Sequence, residues 1–167
     1  MWMKRAAVLA LGAALVLGTA NHAAAQGRGA GGGRGGRGGP PMTALLYRQQ
    51  IMEQMQQSTQ ALTAIRTGTA GVPGHLVGRA TIIQQLAMMV PDAFAANEIG
   101  DGSRALPAIW ENAAEFATQA QALRTAADAL LDAARDGNAE AVGTAQTTLQ
   151  QSCGACHMAF RGPAPGA

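Results

Sequence analysis

Aromatic side chains are scarce in this chain: Phe, Trp and Tyr make up 4% of its 167 residues, although 48% of the residues are hydrophobic. A core of this composition is aliphatic and uses the chain's 8 methionines. Ala, Leu and Gln are abundant and favour helices, whereas the aromatic residues that are enriched in strands are few. Length and composition therefore predict a single all-α domain.

The chain also lacks an excess of positive charge in the part that is long enough to fold. Its one lysine, Lys4, lies near the N-terminus, and from Met42 onward seven arginines stand against ten Asp and Glu residues. A mildly acidic domain is a poor general nucleic-acid binder, because it repels phosphates. We therefore expect no nucleic-acid partner.

Only two cysteines are present, Cys153 and Cys156, and His157 follows the second directly. A tetrahedral zinc site needs further ligands, and the chain has no third cysteine. A thioredoxin-type pair expects neighbouring strands, which the sequence does not predict, and a plain disulfide leaves the histidine unexplained. The pattern Cys-x-x-Cys-His indicates a c-type haem attachment site.

Helical geometry explains the spacing of this motif. Cys153 and His157 are four positions apart and share a helix face, with Cys156 beside them. Each thiol can add across one vinyl group of a haem, and the imidazole can act as the proximal iron ligand. We predict one covalently attached haem c, held by Cys153 and Cys156 and bound through iron by His157.

The N-terminal segment 1–25 has the pattern of a secretory signal peptide. Lys4 and Arg5 form a basic region, an apolar run from Ala6 to Thr19 follows, and small side chains at 23–25 suit cleavage. The apolar run is short for a bilayer span, so we expect no stable membrane anchor after cleavage. Export to the periplasm agrees with the motif, because bacteria attach haem c outside the cytoplasmic membrane.

Residues 26–41 form a Gly/Arg-rich stretch that cannot bury a core. We predict a disordered arm over this range and a folded domain over 42–167. Its Arg-Gly-Gly repeats resemble RNA-binding segments, but an exported protein meets little RNA. A flexible spacer is the favoured interpretation.

Apolar residues recur every three or four positions in four later stretches. They predict helices from about Thr43 to Thr67, His75 to Met89, Pro107 to Ala134, and Ala139 to Phe160. Pro91 is expected to stop the second helix, and Asn138 can cap the fourth. These lengths, with mostly short connections, predict an antiparallel four-helix bundle with its cofactor between the helices.

The haem motif falls on the predicted inward face of the last helix. Two groups of residues then resemble the cytochrome c prime family across about Ala44 to Arg161. One is the C-terminal run Cys153-Gly154-Ala155-Cys156-His157-Met158-Ala159-Phe160-Arg161, and the other is the early run Tyr47-Arg48-Gln49-Gln50-Ile51-Met52. The segments 90–94 and 107–110 are also similar to that family.

The resemblance implies further haem contacts on the first helix. Arg48 and Gln49 match a pair that lies along the haem edge, where an arginine can bind a propionate. Met52 matches the residue facing the distal side of the iron and is the predicted sixth ligand. Met55 and Met89 are weaker candidates that we expect in the core.

The resemblance implies two possible functions. With Met52 bound, the iron is six-coordinate and the protein carries single electrons between redox partner proteins, with no enzymatic activity of its own. With Met52 only packed in the core, the iron is five-coordinate and binds small diatomic gases such as NO or CO. A homodimer is a further expectation, through the broad apolar stripe of the first helix.

Overall fold

A computed structural model describes residues 41–164. The predicted signal peptide (1–25) and all but the last residue of the predicted arm (26–41) lie outside these residues. The described part of the chain contains five helices: α1 (Ala44–Arg66), α2 (His75–Ala93), α3 (Ala108–Glu111), α4 (Ala113–Arg135) and α5 (Ala139–Phe160). Its β-structure is confined to one isolated bridge between Ala105 and Arg161, so the predicted all-α class is confirmed.

The four long helices form the predicted antiparallel bundle. α1 packs along α2, α2 along α4 and α4 along α5, while the direct contact between α1 and α5 is limited. Within residues 41–164, no helix is both long and apolar enough to cross a membrane. The most deeply buried large side chains come from all four long helices: Leu62, Ile83, Leu130, Val142 and Leu149.

The helix that carries the haem motif has the predicted bounds and the predicted cap. The side chain of Asn138 accepts hydrogen bonds from the backbone amides of Glu140 and Ala141, at 3.0 and 3.1 Å. These bonds satisfy two of the amides that a helix start leaves unpaired. α5 therefore runs without interruption through the motif to Phe160.

The prediction that Pro91 stops α2 is wrong. The helix continues through Pro91 to Ala93. Proline costs a helix one hydrogen bond to the residue four positions earlier. However, Val90 and Ala93 are each only 3% exposed. Burial of these side chains in the core holds the final turn in place.

The prediction of one continuous helix from Pro107 to Ala134 is also wrong. The chain breaks at Asn112, whose φ of −115° and ψ of 50° separate α3 from α4. These angles lie outside the helical region. The apolar repeat that predicts this helix places Ala113 on its inward face, but Ala113 is exposed as a result of the break. The longer α4 keeps the rest of the predicted apolar face, including Phe116 and Leu130.

Tertiary contacts of α3 account for the break. Ile109 is 3% exposed, and the indole N–H of Trp110 donates a hydrogen bond of 2.8 Å to the carbonyl of Phe94. These contacts hold the short helix against the core and against the end of α2. Local periodicity does not report them, because they join segments far apart in sequence.

Candidate haem site

A cavity of about 560 Å³ lies between α1, α4, α5 and the segment that connects α2 to α3. Its volume is in the range of ligand sites in proteins. All six residues predicted from the sequence line this one cavity: Arg48, Gln49 and Met52 from α1, and Cys153, Cys156 and His157 from α5.

The α5 wall presents the motif side chains. Cys153 and Cys156 are half-buried free thiols, and His157 is the most exposed of the three. Burial raises the pKa of both thiols, and the neighbouring Cys153 adds to this effect at Cys156. Burial lowers the pKa of His157, and the positive charges of Arg161 and Arg104 lower it further. These effects favour the neutral imidazole, the form that binds a metal.

The α1 wall carries two methionines. Met52 is half-buried, whereas Met55 is 6% exposed and packs within the core, as predicted. Met89, also predicted for the core, is 40% exposed on α2 and does not line the cavity. Met52 is therefore the more accessible thioether of the cavity wall.

Arg48 is the unusual residue of this wall, because its guanidinium is buried with 3% exposure. Its Cζ atom lies 5.0 Å from the ring centre of Phe94 and 5.6 Å from that of Trp110. Nη2 donates a hydrogen bond of 2.6 Å to the carbonyl of Glu98. Nη1 is buried and has no hydrogen-bond partner among residues 41–164.

Burial lowers the pKa of Arg48, partly offset by the negative charge of Glu98. An arginine nonetheless keeps its proton at neutral pH. A buried cationic donor without a partner is uncommon, since leaving it unpaired is costly. Its place in the cavity wall fits an anionic group on the molecule that fills the cavity.

Gln49 differs from Arg48 in being exposed and already engaged with the protein. Its side-chain amide donates a hydrogen bond of 3.1 Å to the carbonyl of Gly102. Gly102 has a φ of 80°. Such a positive φ favours glycine, which has no Cβ to clash with the backbone. Gln49 therefore positions the segment between α2 and α3 at the rim of the cavity.

That segment contributes wall residues to which the sequence assigns no role. Gly102, Ser103, Arg104 and Ala105 all line the cavity. The sequence shows a long irregular stretch with two glycines before Pro107, in which Ser103 and Arg104 stand where a further haem contact would be sought, and it assigns neither residue a role. No spacing rule applies to such a segment, so its contacts follow from the tertiary structure alone.

The described residues fit a haem. α5 offers two thiols and an imidazole, α1 offers a thioether, and Arg48 offers a buried cation for a carboxylate. The remaining wall is largely apolar and includes Ile109, Phe116 and Phe160. The described residues contain no cluster of three or more His, Cys, Asp or Glu side chains that would hold a metal ion.

Comparison with known proteins gives the same assignment. The family model described as cytochrome C′ matches residues 43–161. Cytochrome c-556 of Agrobacterium fabrum is 39% identical over 115 residues, which cover 68% of this chain and 77% of that protein. Cytochrome c′ of Pararhodospirillum photometricum is 30% identical over 122 residues, which cover 72% of this chain and 98% of that protein.

Solved structures with the same fold are also cytochromes. A nitric oxide complex of a mutant cytochrome c prime from Alcaligenes xylosoxidans superposes with a TM-score of 0.66 and 27% identity, over 72% of this chain and 94% of that one. Cytochrome c′ of Rubrivivax gelatinosus gives a TM-score of 0.65 and 25% identity, over 71% and 94%. Sequence, fold and site agree: the chain belongs to the cytochrome c′ family and carries one covalently bound haem c.

Proposed function

We propose that this protein is an exported carrier of single electrons, in which His157 and Met52 would both bind the haem iron. One observation supports this proposal above the others. Met52 and His157 lie on two different helices that line the same cavity. No other histidine lines that cavity within the described residues, and the second methionine there, Met55, is packed in the core.

Each lining residue then has a defined role. Cys153 and Cys156 attach the cofactor through thioethers, and His157 supplies a neutral imidazole. The Met52 thioether would be the second protein ligand of the iron, a type of ligand that raises the reduction potential. The haem itself supplies the one-electron couple of its iron. With both iron ligands supplied by protein side chains, the protein would act as a relay between redox partner proteins and would have no substrate of its own.

Arg48 is proposed to bind a haem propionate. Its support is the unpartnered Nη1, which leaves one donor of a buried cation available in the cavity wall. The rings of Phe94 and Trp110 and the Glu98 carbonyl fix the guanidinium in one place. A carboxylate therefore meets a pre-oriented donor. Gln49 assists indirectly by holding Gly102 at the cavity rim.

The second candidate function is binding of NO or CO at a five-coordinate iron. The observation that favours it is that several structural neighbours are complexes with these gases, among them a cytochrome c prime mutant with nitric oxide and a variant with carbon monoxide. In this alternative Met52 only fills space in the cavity wall. The two functions differ in one property, which is whether the Met52 sulfur binds the iron.

The spin state of the purified ferric protein separates these functions. Electron transfer predicts a low-spin spectrum with a methionine-to-iron charge-transfer band, and gas binding predicts a high-spin spectrum. Met52→Ala should convert low spin to high spin, and added imidazole should restore low spin. The matched control is Met88→Ala, because Met88 is 47% exposed on α2. A Met52→Ala spectrum identical to that of the wild type would exclude ligation by Met52.

Periplasmic localisation forms part of the same proposal. It rests on the signal-peptide pattern of residues 1–25 and on the fact that bacteria attach haem c outside the cytoplasmic membrane. The mature protein is then expected to begin at Gln26, with residues 26–41 as a spacer before the domain. Intact mass measurement on the periplasmic fraction tests this assignment, and recovery of the uncleaved chain contradicts it.

The proposal also includes a homodimer, for which α2 offers a better surface than the α1 stripe named from the sequence. Most of that α1 stripe is buried in the bundle. By contrast, Ile82, Met88 and Met89 on α2 are exposed, by 41%, 47% and 40%. Sedimentation of the wild type and of an Ile82→Glu, Met89→Glu double variant tests this surface. A wild-type protein that stays monomeric at high concentration contradicts the dimer.

A further inference from the structure

Residues 98–106, here called the strap, join α1 to the end of α5 across one end of the haem cavity. On the α1 side, Arg48 and Gln49 donate hydrogen bonds to the strap carbonyls of Glu98 and Gly102, at 2.6 and 3.1 Å. The backbone amide of Leu45 donates to the Glu98 carboxylate at 3.2 Å. The strap is therefore tied to the helix that carries Met52.

On the other side, the strap is tied to the residues that follow α5. The Arg104 side chain donates two hydrogen bonds to the carbonyl of Gly162, at 2.9 Å from Nε and 2.7 Å from Nη2, and Nε also donates to the carbonyl of Pro163 at 3.1 Å. The Gly162 amide donates to the Arg104 carbonyl at 2.7 Å, and the Leu106 amide donates to the Phe160 carbonyl at 3.0 Å. Side chain and backbone of Arg104 thus bind the same short segment.

These hydrogen bonds matter for the haem site because they hold residues of the cavity wall. Arg104 and its neighbours in the strap line the cavity. α1 and α5 make limited direct contact, and the Gln146 hydrogen bonds that join them lie away from this end of the cavity, so the strap supplies the connection here. Within the described residues, Arg104 forms no salt bridge, and its donors are directed to backbone carbonyls instead.

We infer that Arg104 is a positioning residue that latches the strap to the end of the His157 helix and thereby closes one end of the haem cavity. Arginine suits this role because its planar fork addresses two carbonyls at once, whereas lysine offers a single flexible ammonium. An unlatched strap admits water to the cavity. Water stabilises the more highly charged ferric iron and lowers the reduction potential.

The test compares Arg104→Lys, Arg104→Ala and the wild type as haem-loaded full-length protein. Arg79→Lys is the matched control, because Arg79 lies on an exposed part of α2. The first measurement is hydrogen exchange at the Leu106 and Gly162 amides, with the Leu130 amide as a core reference. In Arg104→Lys we expect these two amides to exchange about tenfold faster, which is the factor for losing one charge-assisted hydrogen bond. Unchanged exchange overturns the latch.

The second measurement is the midpoint potential, which a merely structural role does not move. We expect a lower potential in Arg104→Lys, with an unchanged spin state, although the positive charge is kept. Faster exchange with an unchanged potential overturns the positioning role. A potential that falls only in Arg104→Ala overturns it as well, since charge alone then accounts for the effect.

The potential readout rests on the proposed electron-transfer function, but the exchange readout does not. A high-spin wild-type spectrum would exclude Met52 as a ligand and leave the exchange result intact. Failure of the latch and failure of the proposed function are therefore seen in different measurements.

Discussion

The buried guanidinium of Arg48 donates one hydrogen bond, from Nη2 to the Glu98 carbonyl at 2.6 Å, while its Nη1 has no partner among the described residues. One half of the side chain is therefore used by the protein and the other half is available. The first half stabilises the fold around the strap. The second half is suited to an anionic ligand, which is the basis for proposing that Arg48 binds a haem propionate.

The first prediction concerns Arg48→Met. It removes a charged hydrogen bond to Glu98 and the interactions with two aromatic rings. We expect the haem-loaded protein to lose about 2 kcal/mol in its free energy of unfolding. Urea unfolding followed by circular dichroism measures this loss. Arg79→Met is the control and should stay within about 0.5 kcal/mol of the wild type. Equal stability of both variants would contradict the role given to Arg48.

The second prediction concerns covalent attachment. Replacing both Cys153 and Cys156 by Ala removes both thiols, so no haem mass should remain with the chain after denaturation. Each single replacement should leave one thioether and retain the haem mass. Mass spectrometry of the denatured proteins measures this directly, and Ser152→Ala on the same helix is the control. Haem that stays bound through denaturation in the double variant would refute the attachment site.

The third prediction concerns Gln146, which is 3% exposed on α5. Its Oε1 accepts a hydrogen bond of 3.2 Å from Nε of Arg66, and its Nε2 donates to the side chain of Thr63 and the carbonyl of Thr59 on α1. Gln146→Leu removes these hydrogen bonds between α5 and α1, although the Thr63 hydroxyl still donates to the Thr59 carbonyl at 3.0 Å. The loss should cost about 1 kcal/mol in unfolding free energy.

A second variant separates lost hydrogen bonds from poor packing at this position. Adding Thr63→Val to Gln146→Leu removes the hydroxyl that Gln146 contacts, so the double variant should lose less stability than the sum of the two single losses. Gln85→Leu, on an exposed position of α2, is the control for the substitution itself. The cost of Thr63→Val is measured in the wild type and in Gln146→Leu. Equal costs in the two backgrounds would show that the two residues are not coupled.

The fourth prediction concerns the core. Leu130 on α4 is fully buried. Leu130→Ala should therefore leave a cavity and cost about 2–5 kcal/mol in unfolding free energy. Met158 is 84% exposed although it follows His157 directly. Met158→Ala should change stability by less than about 0.5 kcal/mol. Urea unfolding of both proteins measures the difference, and similar losses in both would show that the bundle core is not where the structure places it.

Sequence patterns predicted the parts of this fold that depend on local signals. The bounds of α5 follow from Asn138 at its start and from an apolar face that runs to Phe160. The haem motif is recognisable because its chemistry requires a fixed spacing of two thiols and an imidazole. The assignment of Met52 and Arg48 to the cavity came from resemblance, and both line the cavity.

The parts that escaped prediction depend on contacts between distant segments. Pro91 stays helical because Val90 and Ala93 are buried, and the chain breaks at Asn112 where Trp110 is held by Phe94. Arg104 is separated from Gly162 by an entire helical hairpin, so no local pattern connects them. Met89 has an apolar side chain of the kind found in cores, but it lies exposed on the surface of α2.

The Gln146 hydrogen bonds carry a consequence for the chemistry of a carrier. They join α1 to α5 at the inner end of the cavity, where Thr59 is part of the wall, while the strap joins the same two helices at the other end. If His157 and Met52 bind the iron as proposed, the cross-links on both sides of their helices would leave these ligands little room to shift when the iron gains or loses one charge. Small reorganisation energy, and with it rapid electron exchange, is thus a property that the polar cross-links confer on the proposed relay.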